Sequence, residues 1–546
     1  MAHEVDTPYD SDEGDNDEYT HMFDRSCLSE ESSPEKKDGH FYEWERTMSI
    51  STSCKDETND IAQQLACCCS RDDDDPYWLE TLAGDIPALQ TALRNALVTN
   101  DVSTVQELID YGVIAFGGNN FSAMCEHSTG CTPIWYAASA GADGCIKLLA
   151  EWFLDSYLGE LHRQQQASSV TTRHEQQEEQ DTSKARKELT AFLSHPSKHG
   201  SRPILVATVC NRPETVQTLL NYNVDVNSAN DYSSTAALLA ASEGHFEILN
   251  ILAKHGANLD LPNLQGTTPV IVAAQNGRVD IIKFLYLYGV NLNHVNEMGM
   301  SCVAIAAYYN KPEVIEFLSS VASIDENAPN LNHTSGPLNE TPLCIAARRG
   351  NLEALKALLS SPHVNLAQTN SHGMSALFIG VKSNFVMVVE AIIKHASKCN
   401  KDDLISILNL RDKSSGMTPL FCALILGHGE ILKLLAPLSD LGVICGKDDN
   451  QAPAILAAAA KNDYETCSLL LQAGAYVDQS DKMGHTALAV AARHGFVELC
   501  ELLVQHGAEI GHRSKKGRRT PLQKAKKYKH LKIVELFERY GAGAGE

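Results

Sequence analysis

The stretch Thr268-Pro269-Val270-Ile271-Val272-Ala273-Ala274-Gln275-Asn276-Gly277, running on to Ile281-Ile282-Lys283-Phe284-Leu285 and Gly289, decides the fold. Threonine is a good helix N-cap, and proline suits the first helical turn, where a missing N–H costs nothing. The Ala273-Ala274 pair keeps this helix slim, so a neighbour can approach closely. Gly277 fits the left-handed turn that residues with a Cβ avoid. A second helix then carries apolar side chains back to the same core. The stretch reads as one helix–turn–helix unit.

The unit recurs. Arg202, Thr235, Thr268 and Ser301 open four consecutive copies, each 33 residues after the last. A degenerate first copy opens at Thr91-Ala92-Leu93, and a second opens at Thr132-Pro133-Ile134. Others open at Thr341-Pro342-Leu343, Ser375 and Thr418-Pro419-Leu420, and the last three at Ala452, Thr486 and Thr520 are spaced by 34. A fixed period near 33 residues with a helix-pair pattern is the signature of a stacked repeat array.

On these residues the chain resembles the ankyrin-repeat proteins over roughly residues 88–545. The resemblance implies an all-α solenoid of helix–loop–helix pairs with β-turn fingers. It also implies a concave groove, lined by finger tips and first helices, that binds other proteins. The chain departs from the pattern at three copies. The first lacks the Pro and Gly, the eighth has Gly380-Val381 for Ala-Ala, and the last has Lys526 at the second Ala. The terminal departures suit caps, which face water on one side.

The copies divide the chain. Residues 1–86 are expected to be a disordered acidic tail, because their composition cannot bury enough apolar surface to offset chain entropy. Repeats are expected over 87–152, a polar insertion over 153–200, and regular repeats over 201–323. A short insertion at 324–338, repeats at 339–395 and an insertion at 396–414 follow. Residues 415–546 hold the C-terminal repeats with a basic cap. The insertion at 153–200, with Gln164-Gln165-Gln166 and Glu175-Gln176-Gln177-Glu178-Glu179, reads as a loop or helix extruded from the stack.

Charge is unevenly spread. Residues 1–80 hold 23 of the 69 Asp and Glu but only 6 of the 45 Lys and Arg, so the body is nearly balanced. Nucleic acid is a disfavoured partner, since a neutral body and an acidic tail offer phosphate little. No apolar run is long enough to span a membrane, and the acidic N-terminus does not read as a signal peptide. The 16 cysteines are scattered singly, with Cys344, Cys422, Cys467 and Cys500 at core positions. That pattern fits reduced thiols in a cytoplasmic or nuclear protein.

No catalytic constellation is present: phosphate-binding, dinucleotide-binding, zinc-protease and nucleophile-elbow motifs are all missing. No enzyme activity and no cofactor are expected. Cys125-Glu126-His127 with Cys131 lacks the second tight pair a zinc site needs. Cys67-Cys68-Cys69 is followed by four aspartates that anionic lipid would repel. The informative positions are the two residues after each Ala-Ala pair. They place Tyr308-Tyr309 in one repeat and Arg348-Arg349 in the next, followed by Lys382, with Met298 and Met300 on the preceding finger. Aromatics and Arg dominate binding hot spots, and Arg grips carboxylate or phosphate through two hydrogen bonds. A second candidate surface is the basic cap: Lys515, Lys516, Arg518, Arg519, Lys526 and Lys527.

The expectation is a monomeric, non-enzymatic scaffold or adaptor binding an acidic or phosphorylated segment of another protein. An alternative is the substrate-recruiting subunit of a ubiquitin ligase or similar complex, with Phe41-Tyr42-Glu43-Trp44 as its only candidate docking motif.

Overall fold

The computed structural model describes residues 86–111, 131–167, 175–198, 200–322, 328–399, 401–445, 452–513 and 519–541. The acidic segment with Phe41 to Trp44 and Cys67 to Cys69 lies outside the described residues. So do Cys125, His127, Lys515, Lys516 and Arg518. Among the described residues every regular element is an α-helix, and the fingers contribute only isolated antiparallel bridges such as Ala229 with Thr235 and Ser480 with Thr486. The helices fall into two compact units divided between Asn330 and Leu331.

In the first unit the helix pairs are α1 (Ile86–Val98) with α2 (Val102–Asp110), and α3 (Pro133–Ala140) with α4 (Asp143–Ala167). After α5 (Glu175–Leu193) come α6 (Pro203–Val209) with α7 (Pro213–Asn221), and α8 (Ala236–Glu243) with α9 (Phe246–Lys254). The last pairs are α10 (Pro269–Asn276) with α11 (Val279–Leu287), and α12 (Cys302–Tyr308) with α13 (Pro312–Val321).

The second unit begins with α14 (Pro342–Arg349) and α15 (Leu352–Leu359), then α16 (Ala376–Lys382) and α17 (Val386–Cys399). Helix α18 (Lys401–Asn409) precedes α19 (Pro419–Leu426) with α20 (Gly429–Leu435). Then come α21 (Ala454–Ala460) with α22 (Tyr464–Gln472), α23 (Ala487–His494) with α24 (Val497–Gln505), and α25 (Pro521–Lys527) with α26 (Leu531–Arg539).

First helices begin as the sequence implies. The hydroxyls of Thr132, Thr235, Ser301, Thr341, Ser375, Thr418, Thr486 and Thr520 each accept from the backbone N–H three residues on. Thr268, in the most regular copy, makes no such bond. Thr91 is no cap either, because α1 starts five residues before it. Arg202 replaces the capping hydroxyl with another use. Its guanidinium donates to the Ser194 carbonyl at 2.8 Å and the Ala229 carbonyl at 3.2 Å, tying the end of α5 to the next finger.

The turn between paired helices is left-handed in all twelve copies. Glycine fills it at Gly141, Gly244, Gly277, Gly350, Gly427 and Gly495, and asparagine at Asn100, Asn211, Asn310, Asn384 and Asn462. Asparagine is among the few residues with a Cβ that visit this conformation readily. The first copy therefore keeps the turn although it lacks the glycine. The last copy uses Lys529 at φ +61°, where the backbone is strained.

The 153–200 segment differs from the polar excursion expected of it. Helix α4 runs 25 residues and α5 packs back on it. Phe153, Ala185, Leu189, Phe192 and Leu193 are all buried, and the Phe153 and Phe192 rings stack at 4.8 Å. Ala185, Leu189 and Phe192 recur at helical spacing, so one stripe of this Gln- and Glu-rich stretch is apolar.

The core cysteines are free thiols at near-zero exposure. Burial pushes Cys302, Cys344, Cys422, Cys467 and Cys500 up to about 12, and burial with the nearby Asp101 carboxylate pushes Cys145 up to about 11.

Two outcomes are expected. Lys529→Gly should stabilise the last repeat by about 0.5–1 kcal/mol, relief of left-handed strain outweighing the extra entropy of unfolded glycine. Gly495→Ala should destabilise it, since the new Cβ would stand 2.7 Å from the His530 ring at a φ of +84°. Hydrogen exchange over α25 and α26 in rising urea reads both, because repeat arrays need not unfold in one step. Second, the folded thiols titrate above their ordinary value near 9. Their contribution is therefore intact below pH 9 and lost as pH climbs toward 12. The urea midpoint should fall over that range, and less steeply in Cys500→Ala; an equal slope would refute the assignment.

Candidate functional site

Six fingers of the surface are built on a buried asparagine or aspartate five or six residues before the anchor. Asn230 Oδ1 accepts from the N–H groups of Tyr232 and Ser234, and Asn263 accepts from Gln265 and Thr267. Asn296 does the same for Met298 at 3.1 Å and Met300 at 2.9 Å. Asn370, Asp412 and Asp481 repeat the arrangement in the second unit. At Asp412 the bonds from Ser414, Ser415 and Met417 hold the carboxyl below its usual range despite burial, which alone would raise it. These side chains fix where each finger tip points.

Successive fingers interlock. Asn227 Oδ1 accepts from the Asn258 N–H at 2.8 Å, Asp260 from Asn291 at 3.1 Å, and Asn293 from Asn330 at 2.9 Å. In the second unit Asn332 accepts from Asn365 at 2.8 Å and Asp478 from Glu509 at 3.0 Å. The ends of first helices are held similarly. Lys461 donates to the Ile425 carbonyl at 2.7 Å, and the His530 ring lies 2.9 Å from the Arg493 carbonyl. A carbonyl only accepts, so that ring nitrogen carries the proton.

The predicted residues lie on both units and separate into two sets. In the first unit Tyr308 and Tyr309 are half-buried and pack edge to face, ring centroids 5.0 Å apart. Met298 on the finger is also half-buried. Met300 is not a groove residue: it is 2% exposed, turned into the core just before the cap of α12.

In the second unit Arg348 is engaged by the protein itself. Its guanidinium pairs with Glu340, the Nε lying 3.0 and 3.1 Å from the two carboxylate oxygens. Glu340 is buried, and Asn370 reaches it at 3.4 Å. Sequence spacing places Arg348 in the groove, whereas the finger's turn brings it to Glu340. Arg349 and Lys382 are exposed at the ends of adjacent first helices. The same register positions elsewhere are not uniformly open, since Ile425 and Ala459 are buried.

Within the basic cap, Lys526 and Lys527 are exposed and Arg519 is half-buried. Lys526 lies 3.9 Å from Glu538, while Lys527 and Arg493 flank the Tyr528 ring at 5.5 and 5.7 Å. The neighbouring Lys524 is itself buried. Among the described residues no group of three or more His, Cys, Asp or Glu is placed to hold a metal ion. No described helix is long and apolar enough to cross a membrane.

The pairing of Arg348 carries its own expected outcome. Removing one partner strands the other, so Arg348→Ala and Glu340→Ala should each lower stability by about 1–3 kcal/mol. Arg349→Ala should leave it within about 0.5 kcal/mol. Urea unfolding distinguishes them, and an inert Arg348→Ala would return that side chain to the binding surface.

Comparison with known proteins bears on the whole array. A model of ankyrin repeats, three copies at a time, matches residues 186–263, 204–296, 238–330, 303–403, 404–481 and 455–544. The helix pairs α1–α2 and α3–α4 precede the matched residues. One similar solved structure is that of a predatory endopeptidase from Bdellovibrio bacteriovorus in complex with an immunity protein. The match is 25% identical, covers 37% of this chain and 97% of that chain, and has a TM-score of 0.31. The repeated anchors, the left-handed turns, the interlocked fingers and the matched residues agree: this chain belongs to the ankyrin-repeat family.

Proposed function

We propose that this protein is a non-enzymatic scaffold or adaptor whose fingers and first helices grip a partner segment that is acidic or phosphorylated. Ankyrin repeats are protein-binding modules, and this array holds its finger tips with buried amide and carboxylate side chains. The observation that carries the finer reading is the pair of exposed cations, Arg349 and Lys382, at the ends of adjacent first helices in the second unit. Arg349 can meet a carboxylate or phosphate with two parallel bonds, and Lys382 adds a point charge. In the first unit, Met298, Tyr308 and Tyr309 offer a soft and aromatic surface suited to an apolar anchor. In the second unit, Arg348 holds the finger beside Arg349 through Glu340.

An array of acidic and phosphoserine peptides, followed by fluorescence anisotropy on those that bind, tests the reading. Arg349→Ala combined with Lys382→Ala should weaken binding by about tenfold or more and flatten its salt dependence. Tyr308→Ala with Tyr309→Ala should weaken peptides bearing an apolar anchor. Equal affinity of wild type and the Arg349/Lys382 variant, with folding intact, would move the site away from the first helices.

A further inference from the structure

The second-helix layer of the first unit holds a hollow on a different face from the fingers. First helices α8 and α10 pack closely, as do second helices α7 with α9 and α11 with α13, whereas α9 and α11 stand apart. Aromatic rings bridge the gap between them. Phe246, at the start of α9, meets Phe284 of α11 edge-on at 5.3 Å, and Phe284 lies against Tyr288 at 4.5 Å. Phe284 occupies the register position held by Thr218 and Ile251 in the two preceding repeats and by Phe317 in the following one.

The hollow measures about 690 Å³. Its rim is apolar and exposed: Phe246 is 48% and Leu287 80% accessible. Arg278 and Lys283 line it against a single acid, Asp280. Large apolar groups left this open beside a cavity mark a docking surface.

We propose that this hollow receives the chain's own segment Phe41-Tyr42-Glu43-Trp44-Glu45. Three aromatic side chains within four positions match a cavity walled by aromatic rings. Glu43 and Glu45 match the excess of Arg278 and Lys283 over Asp280. The segment is also the aromatic cluster of a region that holds 23 of the chain's 69 acidic residues, so apolar burial and charge attraction act together there. Length permits the contact. The 40 residues between Glu45 and Ile86 can reach roughly 130 Å at about 3.3 Å each. Helix layers about 10 Å apart put α9 and α11 some 30–40 Å from α1. Docking there occupies the second-helix face and leaves the finger surface to other proteins, so this inference does not depend on the proposed function.

The test uses the full-length protein. An amine-reactive cross-linker should join Lys36 or Lys37 to Lys283 within one chain, at a yield independent of protein concentration. The triple variant Phe41→Ala, Tyr42→Ala, Trp44→Ala should lower that yield about tenfold, and amides of residues 279–288 should exchange roughly tenfold faster. Leu287→Asp should abolish the same cross-link, with a urea midpoint confirming that the array is folded. Identical exchange in wild type and the triple variant, without the cross-link, overturns the proposal. A cross-link found only between isotopically distinct copies also overturns it, assigning the hollow to a second molecule.

Discussion

Everything in this array depends on one backbone constraint: the residue joining the two helices of each pair must adopt a left-handed turn. That turn reverses the chain in two residues and brings the second helix against the first. The next repeat then closes on it. A Cβ at Gly141 would meet Arg212, one at Gly244 would meet Arg278, and one at Gly350 would strike the Phe385 ring at 2.7 Å. Residues beside each turn, such as Arg212, Arg278 and Phe385, belong to the preceding repeat's packing as well as to their own. Side chains such as Arg212 and Lys461 therefore satisfy carbonyls at the end of the preceding first helix, groups that a helix cannot satisfy alone. A repeat is incomplete by itself in hydrogen bonds as well as in apolar surface.

The part of the fold that sequence shows is the part this constraint repeats. The Thr-Pro openings, the Ala-Ala pairs and the glycines recur because each answers a local demand on backbone or size. Where the demand can be met in another way, the pattern fades while the structure persists. Asn100 and Asn462 turn as glycine does, and Arg202 exchanges a helix cap for a longer-range tie. The α4–α5 hairpin was obscured differently. Its glutamines and glutamates dominate composition, whereas its fold rests on the narrow stripe through Phe153, Leu189 and Phe192.

The candidate surface was legible only as a set of register positions. Register says which residues leave the first helix toward the fingers, and it marks Tyr308, Tyr309, Arg348, Arg349 and Lys382. It says nothing of what those residues meet. Met300 turns into the core where the finger meets the cap of α12, and Arg348 is held by an acid on its own finger. Both facts depend on side chains brought together by the finger's turn. The hollow beside Phe284 is not marked by register either, since rings stand at the same positions in other repeats, as at Tyr222 and Phe317.

The finger ladder runs in one direction. Among the described residues, Asn227, Asp260, Asn293, Asn332 and Asp478 each accept from the backbone N–H of the finger that follows. First helices and turns are contacted by neighbours on both sides, so an added residue there would shift two interfaces at once. The stretch from the end of a second helix to the next finger has no such double constraint. The lengthened α4 and α17, the hairpin helix α5 and the short α18 all lie in that stretch. The array thus has a single growth point per repeat, where new sequence can be spliced in while the register on either side is preserved.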